Sequence, residues 1–158
     1  MTTLSLLIAF GLRCLLVVLF LPFSALDKII NFSGAVKQAA EVAPSAGIAR
    51  ALIFVGLFVE VVMSLGVITG VADRLAAFVL AGYCGTTAVL WKQFWKPGDF
   101  FVRGESRGRA LFWDFLKNFS LAGGFLLVTF GTGADAVRTF LADPMASSHP
   151  YRIAAPAQ

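Results

Sequence analysis

The sequence predicts an all-α integral membrane protein, a bundle of four transmembrane helices. Three observations carry this. Residues of the set AVILMFWYC make up 58% of the 158-residue chain, against about 45–50% apolar in a soluble domain. Charged residues are 14%, where about 25% is usual. Four separate stretches reach the roughly 20 mostly apolar residues that a spanning helix needs. A soluble domain of this size exposes too large a fraction of itself to hide so much apolar surface. Lipid is therefore the solvent for most of the chain, and the bilayer its first partner. A soluble enzyme, a disordered chain, a disulfide scaffold and a nucleic-acid binder are set aside.

The four stretches run over about residues 4–26, 48–68, 75–95 and 111–130. Backbone in contact with lipid must satisfy its own hydrogen bonds, so runs this long are helices. No period-two alternation suggests a barrel. Residues 1–130 form the transmembrane domain, and residues 131–158 a polar, loose C-terminal tail. Helix one is expected to remain as a span rather than to be cleaved. Its first residues carry no side-chain charge and Arg13 interrupts its apolar run, unlike a signal peptide. Pro22 removes one backbone donor and is expected to kink the last turns.

The links carry most of the polar residues. Between helices one and two, Ser33 reads as an N-cap and Pro44 as a stop. Lys37 and Glu41 are four apart, which would pair them on one face. A short helix at the membrane surface is expected there. The second link, Thr69 to Arg74, is short. The third reads KPGDFFVRGESRGRA, with Phe100 and Phe101 as an interfacial foot.

The net charge is +4, and its distribution sets an orientation. The side of links one and three holds Lys28, Lys37, Arg50, Lys92, Lys96, Arg103, Arg107 and Arg109, and the other side Arg74, Arg138 and Arg152. Eight against three places the basic side in the cytoplasm and both termini outside. Trp91, Trp95, Trp113, Phe94 and Phe112 crowd the basic side as half an aromatic belt.

Two charges fall inside the apolar runs. Arg13 lies thirteen residues before Leu26, and Glu60 twelve after Ile48. At about 1.5 Å rise per residue both sit roughly 18–20 Å from the basic end. Neighbouring helices would then bring an Arg and a Glu to one depth. A lone charge there costs at least about 2.5–3.5 kcal/mol. The pair reads either as a structural brace or as a polar site for a quinone, a proton or an anion.

Helix four opens with Asp114, then Lys117 and Asn118, then Gly123 and Gly124. Asp114 and Lys117 share a face, as an interfacial pair or as part of a cluster with Asp27 and Lys28. The two glycines offer a flat strip for close packing. Cys14 and Cys84 read as inert buried thiols. His149 is the single histidine, so no metal site is expected.

These residues resemble the DoxX family of small bacterial membrane proteins. Arg13 followed by Phe20 to Phe32 is similar to the family's helix-one pattern. Glu60 with Gly66 and Gly70 is similar to its helix two, and Lys117-Asn118 with Gly123-Gly124 to its helix four. Ala25 stands where the family often has glycine. Trp91-Lys92-Gln93-Phe94-Trp95 lacks the histidine that many members carry. The resemblance implies a four-helix bundle in the bacterial inner membrane, linked to quinone or thiol redox chemistry. The expected function is an accessory or anchoring subunit of such a redox system, with a redox protein or a second copy as partner. The alternatives are a quinone-binding catalytic subunit and a small transporter or proton path. Arg13, Glu60, Lys117 and Asn118 are the candidate ligand residues. No intrinsic cofactor is expected, and quinone is the possible ligand.

Overall fold

The structure is a computed structural model that describes residues 2–152. It is all-α, and no strand occurs among the described residues. Four helices are long and apolar enough to cross a membrane: α1 (Thr3–Ile30), α3 (Ala46–Thr69), α4 (Asp73–Trp91) and α5 (Arg107–Phe130). Two shorter helices join them among the described residues, α2 (Phe32–Ala39) and α6 (Ala134–Ala142). The chain is a multi-pass membrane protein.

The spans are not equivalent. Only 11% of the most apolar window is buried in α1 and in α5, against 28% in α3 and 33% in α4. Helices α3 and α4 are thus the inner pair, and α1 and α5 turn most of their surface to lipid. On α1, Leu4, Leu7, Leu12 and Leu15 all lie outward. The longest packed seam runs between α4 and α5. The small residues Ala77, Ala81, Ala88 and Ala122 are buried and let backbones approach, which replaces the hydrophobic drive that lipid removes. Leu80 and Phe125 fill the core with Val17 and Phe20.

Pro22 acts as expected. Leu21, before it, leaves helical geometry at φ −124°, ψ 110°, because the proline ring disfavours the helical region for its predecessor. Around it, Leu19–Ser24 winds as a wide π-type turn. A second π-type turn, Val59–Met63, lies in α3, and the two wide turns pack together. Such turns break the regular 3.6 spacing and often mark functional positions.

Surface helix α2 exists, but its details differ. Ser33 lies inside it, and the position before it is Asn31, without a side-chain cap. Lys37 and Glu41 form no ion pair among those of the described residues. Ala39 is buried against Ala49 and Ile53 of α3, with Phe32 and Val36 beside them. Trp91 Nε1 donates to the carbonyl of Gln38 at 3.1 Å and fastens α2 to the end of α4. Helix α2 is therefore a roof over the basic end.

The start of α5 is heavily capped. Ser106 Oγ accepts from Arg109 N at 3.1 Å, and the Asp99 carboxylate accepts from Arg107 N at 2.7 Å and Gly108 N at 2.8 Å. These are donors that no helix can satisfy internally. They hold the Asp99 carboxyl below the ordinary carboxylate range, the Gly108 amide most of all. A Cβ on Gly108 would meet Asp99 Oδ1 at 2.8 Å, so only glycine allows this approach. The Arg109 guanidinium binds the carbonyls of Phe100, Val102 and Gly104 and closes the loop on itself.

The C-terminal part is not a loose tail through its described length. Helix α6 packs Phe140 onto Phe78 and Phe130. Residues 147–151 return to the bundle as a strap. Ser147 Oγ donates to the Gly70 carbonyl at 2.7 Å, and Tyr151 OH donates to the Ile68 carbonyl. Burial pushes the Tyr151 hydroxyl up from its ordinary pKa, so it remains a donor. Gly70 ends α3 with φ +80°, and Pro150 lies on it. Ser147 and Tyr151 of the expected loose tail thus supply these carbonyl contacts. Residues 153–158 of the expected tail lie outside the described residues.

Candidate functional site

Arg13 and Glu60 do not meet. Arg13 Nη2 lies 2.7 Å from Asp73 Oδ2, and Nη1 donates to the Val67 carbonyl at 2.6 Å. Asp73 is fully buried and also accepts from Ser148, from its amide at 2.8 Å and its hydroxyl at 2.5 Å. The physical reason is a difference of level. Helix α1 runs on past Leu26 to Ile30 with a break at Leu21, so counting a straight helix from Leu26 places Arg13 too low. It stands at the end of α3, beside the start of α4.

Glu60 has its own partner. Lys28 Nζ lies 2.7 Å from Glu60 Oε1. Ser24 Oγ donates to the same oxygen at 2.9 Å, and Tyr83 OH at 2.9 Å. Lys28 Nζ also donates to Ser24 Oγ at 2.6 Å. The two wide turns explain the meeting. They bring Ser24 on α1 against Glu60 on α3, and one further turn of α1 adds Lys28. Glu60 is only 1% exposed, and charges buried this deeply persist because they are paired and hydrogen-bonded.

This cluster forms the deep end of a cavity of about 610 Å³, within the usual range for small-molecule sites. Helices α1, α3, α4 and α5 all contribute walls, and α2 covers it with Ala35, Gln38 and Ala39. Phe20, Leu52 and Ile53 give it apolar sides. Lys92, Asp114, Lys117 and Asn118 line it nearer the basic end. Asp114 is shared by two lysines, Lys92 at 3.2 Å and Lys117 at 3.4 Å. Asn118 Nδ2 donates to the Asp114 carbonyl at 2.9 Å. Three lysines thus face two carboxylates across one space.

A shallow apolar groove adjoins the cavity. It is lined by Leu19 of α1 and by Trp113, Leu116, Lys117, Ser120 and Leu121 of α5. It shares Leu19, Lys117 and Leu121 with the cavity wall. Helices α1 and α5 touch at few places, and the groove lies along that open seam.

Of the sequence candidates, the cavity gathers Glu60, Lys117 and Asn118, together with Lys28 and Asp114. It does not include Arg13. Asp27 is exposed and joins no ion pair among the described residues. Of the two glycines, only Gly124 faces a neighbour: a Cβ there would meet Leu16 at 3.0 Å, while Gly123 has open space. Tyr83, Ser24 and Asp73 do not stand out in the sequence. A lone tyrosine in an apolar span and an acid at the first turn of one are the available signals. Cys14 and Cys84 are free thiols, and the described residues contain no metal-type cluster.

The fold and its buried polar groups define a small integral membrane protein of four spans with a roofed, largely apolar cavity between them that carries a few charged groups. A model of the DoxX family matches residues 6–93, more than half of the chain, and the chain belongs to that family. The matched stretch holds Arg13, Lys28, Glu60, Asp73 and Tyr83. No curated protein and no solved structure matches the chain.

Proposed function

We propose that this chain is the ligand-binding subunit of a membrane-associated redox system and holds a quinone-type molecule in the roofed cavity. One observation carries the reading: the cavity that ends on Glu60, Lys28 and Tyr83 shares its wall of Leu19 and Leu121 with an apolar groove on the lipid side. That shape suits a molecule with a polar ring and an apolar tail. Lys28 spends two of its three donors on Ser24 and Glu60, which leaves one for a ring oxygen. Arg13, tied to Asp73, takes no part. The basic-residue count supports an inner-membrane orientation with both termini outside.

Purification in mild detergent followed by quinone extraction tests this. Wild type should carry quinone in near-stoichiometric amount, and the folded Lys28→Met/Glu60→Leu variant should have lost it. Equal, substoichiometric amounts in both would remove the reading. A second reading, an accessory subunit whose partner docks on the third link, is favoured by Phe101, 95% exposed beside Arg103. A stoichiometric co-purifying protein without quinone would support it.

A further inference from the structure

The groove beside the cavity orders its polar groups by depth. Its wall on α5 runs inward from the basic end as Trp113, Leu116, Lys117, Ser120 and Leu121, with Leu19 of α1 opposite. At about 1.5 Å rise per residue, Lys117 lies roughly 6 Å below Trp113, and Ser120 roughly 10 Å. The headgroup layer of a bilayer is about 5–7 Å deep on each side. The series of indole, ammonium, hydroxyl and leucine therefore crosses that layer once. Two of these polar groups have capacity to spare. Lys117 Nζ spends one of its three donors, on Asp114 at 3.4 Å, and its side chain is 73% exposed. Ser120 is exposed on this lipid-facing helix, and its hydroxyl makes no hydrogen bond among the described residues. The local charge is positive, because Lys92 and Lys117 share the one carboxylate of Asp114.

We propose that this groove is a binding site for an anionic phospholipid of the leaflet at the basic end. The lipid phosphate accepts from the unspent N–H groups of Lys117. A glycerol ester oxygen accepts from Ser120 Oγ one turn deeper, and an acyl chain lies along Leu19, Leu116 and Leu121. A hydroxyl that faces hydrocarbon without a partner carries a desolvation cost, and an ester carbonyl at that depth relieves it. Charge decides between headgroups. A headgroup with its own ammonium brings a third cation to a carboxylate that two lysines already share, whereas a glycerol headgroup leaves the phosphate charge free for Lys117. The proposal does not rest on the quinone-type reading. The lipid lies on the groove side of the wall that cavity and groove share, and a ligand tail entering the groove would displace its acyl chain.

The test uses full-length protein, delipidated in mild detergent and offered phosphatidylglycerol or phosphatidylcholine with the same acyl chains. Native mass spectrometry counts the lipid retained. One lysine at the membrane surface corresponds to about a fivefold preference for the anionic lipid. Lys117→Gln should abolish that preference, and it leaves Asp114 paired with Lys92. Ser120→Ala should lower retention of both lipids alike and keep their ratio. Lys37→Gln removes an exposed charge elsewhere at the basic end and should change neither. Equal retention of the two lipids by wild type would overturn the inference. So would a preference that falls as far with Lys37→Gln as with Lys117→Gln, or a second copy of the chain retained in place of lipid. Quinone content is measured separately, so each of these outcomes leaves the proposed function standing.

Discussion

Lys28 Nζ and Glu60 Oε1 lie 2.7 Å apart, the lysine 18% exposed and the carboxylate 1%. The lysine reaches in from the last turns of α1, past the break at Leu21, to a carboxylate in the wide turn of α3. Removing one member leaves the other charge buried. Glu60→Leu alone should cost about 3–5 kcal/mol, and Lys28→Met with Glu60→Leu should recover much of that loss. Thermal unfolding in detergent reads both. Equal stability of Glu60→Leu and wild type would show that the pair carries no weight.

The second buried pair should behave as a separate unit. Arg13→Leu and Asp73→Leu act on one contact and should show a coupling of about 0.5–3 kcal/mol in a double-mutant cycle. Arg13→Leu and Glu60→Leu act on different clusters and should add to within about 0.5 kcal/mol. Strong coupling in the second cycle would restore a direct link between Arg13 and Glu60.

The strap should matter to the Arg13–Asp73 pair. Ser148→Ala withdraws one hydroxyl from Asp73 and Arg13 and should cost about 1–3 kcal/mol. Gly70→Ala forces a side chain into a left-handed position beneath Pro150 and should cost about 1–2 kcal/mol from the backbone alone. Limited proteolysis at residues 143–152 should quicken in both variants. Unchanged cleavage would show that the strap is held elsewhere.

Asp99 makes the start of α5 sensitive to acid. Its folded carboxyl is held below the ordinary range by the Gly108 and Arg107 amides. The capping is therefore fully present above the unfolded value of about 4, and it is lost as pH falls through the lower folded value. Amide exchange at Arg107 and Gly108, corrected for intrinsic rates, should show protection falling only well into the acid range. Asp99→Asn should have weaker protection and little pH dependence there.

Orientation is read from fusions. A reporter active only in the cytoplasm, attached at the C-terminus, should be silent. Robust activity would invert the assignment of the basic side.

The spans were legible because hydropathy is a one-dimensional signal. Apolar runs of sufficient length have one solution in lipid. The polar partnerships were not legible to the same degree. Depth counted along a straight helix misplaces Arg13, since the break at Leu21 and the continuation to Ile30 depend on how α1 packs. Lys28 reads as a link residue of the basic side, after Leu26, and reaches Glu60 only because both helices widen locally. Asp73 reads as part of a short link, although an acid at the first turn of a span is a natural mate for a buried guanidinium. Asp114 and Lys117 stand three apart in sequence, and local spacing sufficed to associate them. Tyr83 carries no local pattern, and only the assembled bundle turns it toward Glu60.

The open seam between α1 and α5 also bears on how the cavity would be filled. If the shared wall of Leu19, Lys117 and Leu121 opens there, the chamber samples what is dissolved in the hydrocarbon, not in the surrounding water. Its occupancy then follows the ratio of ligand to lipid. Fusing an excess of ligand-free vesicles to loaded ones would lower it, while diluting the same vesicles in buffer would leave it unchanged.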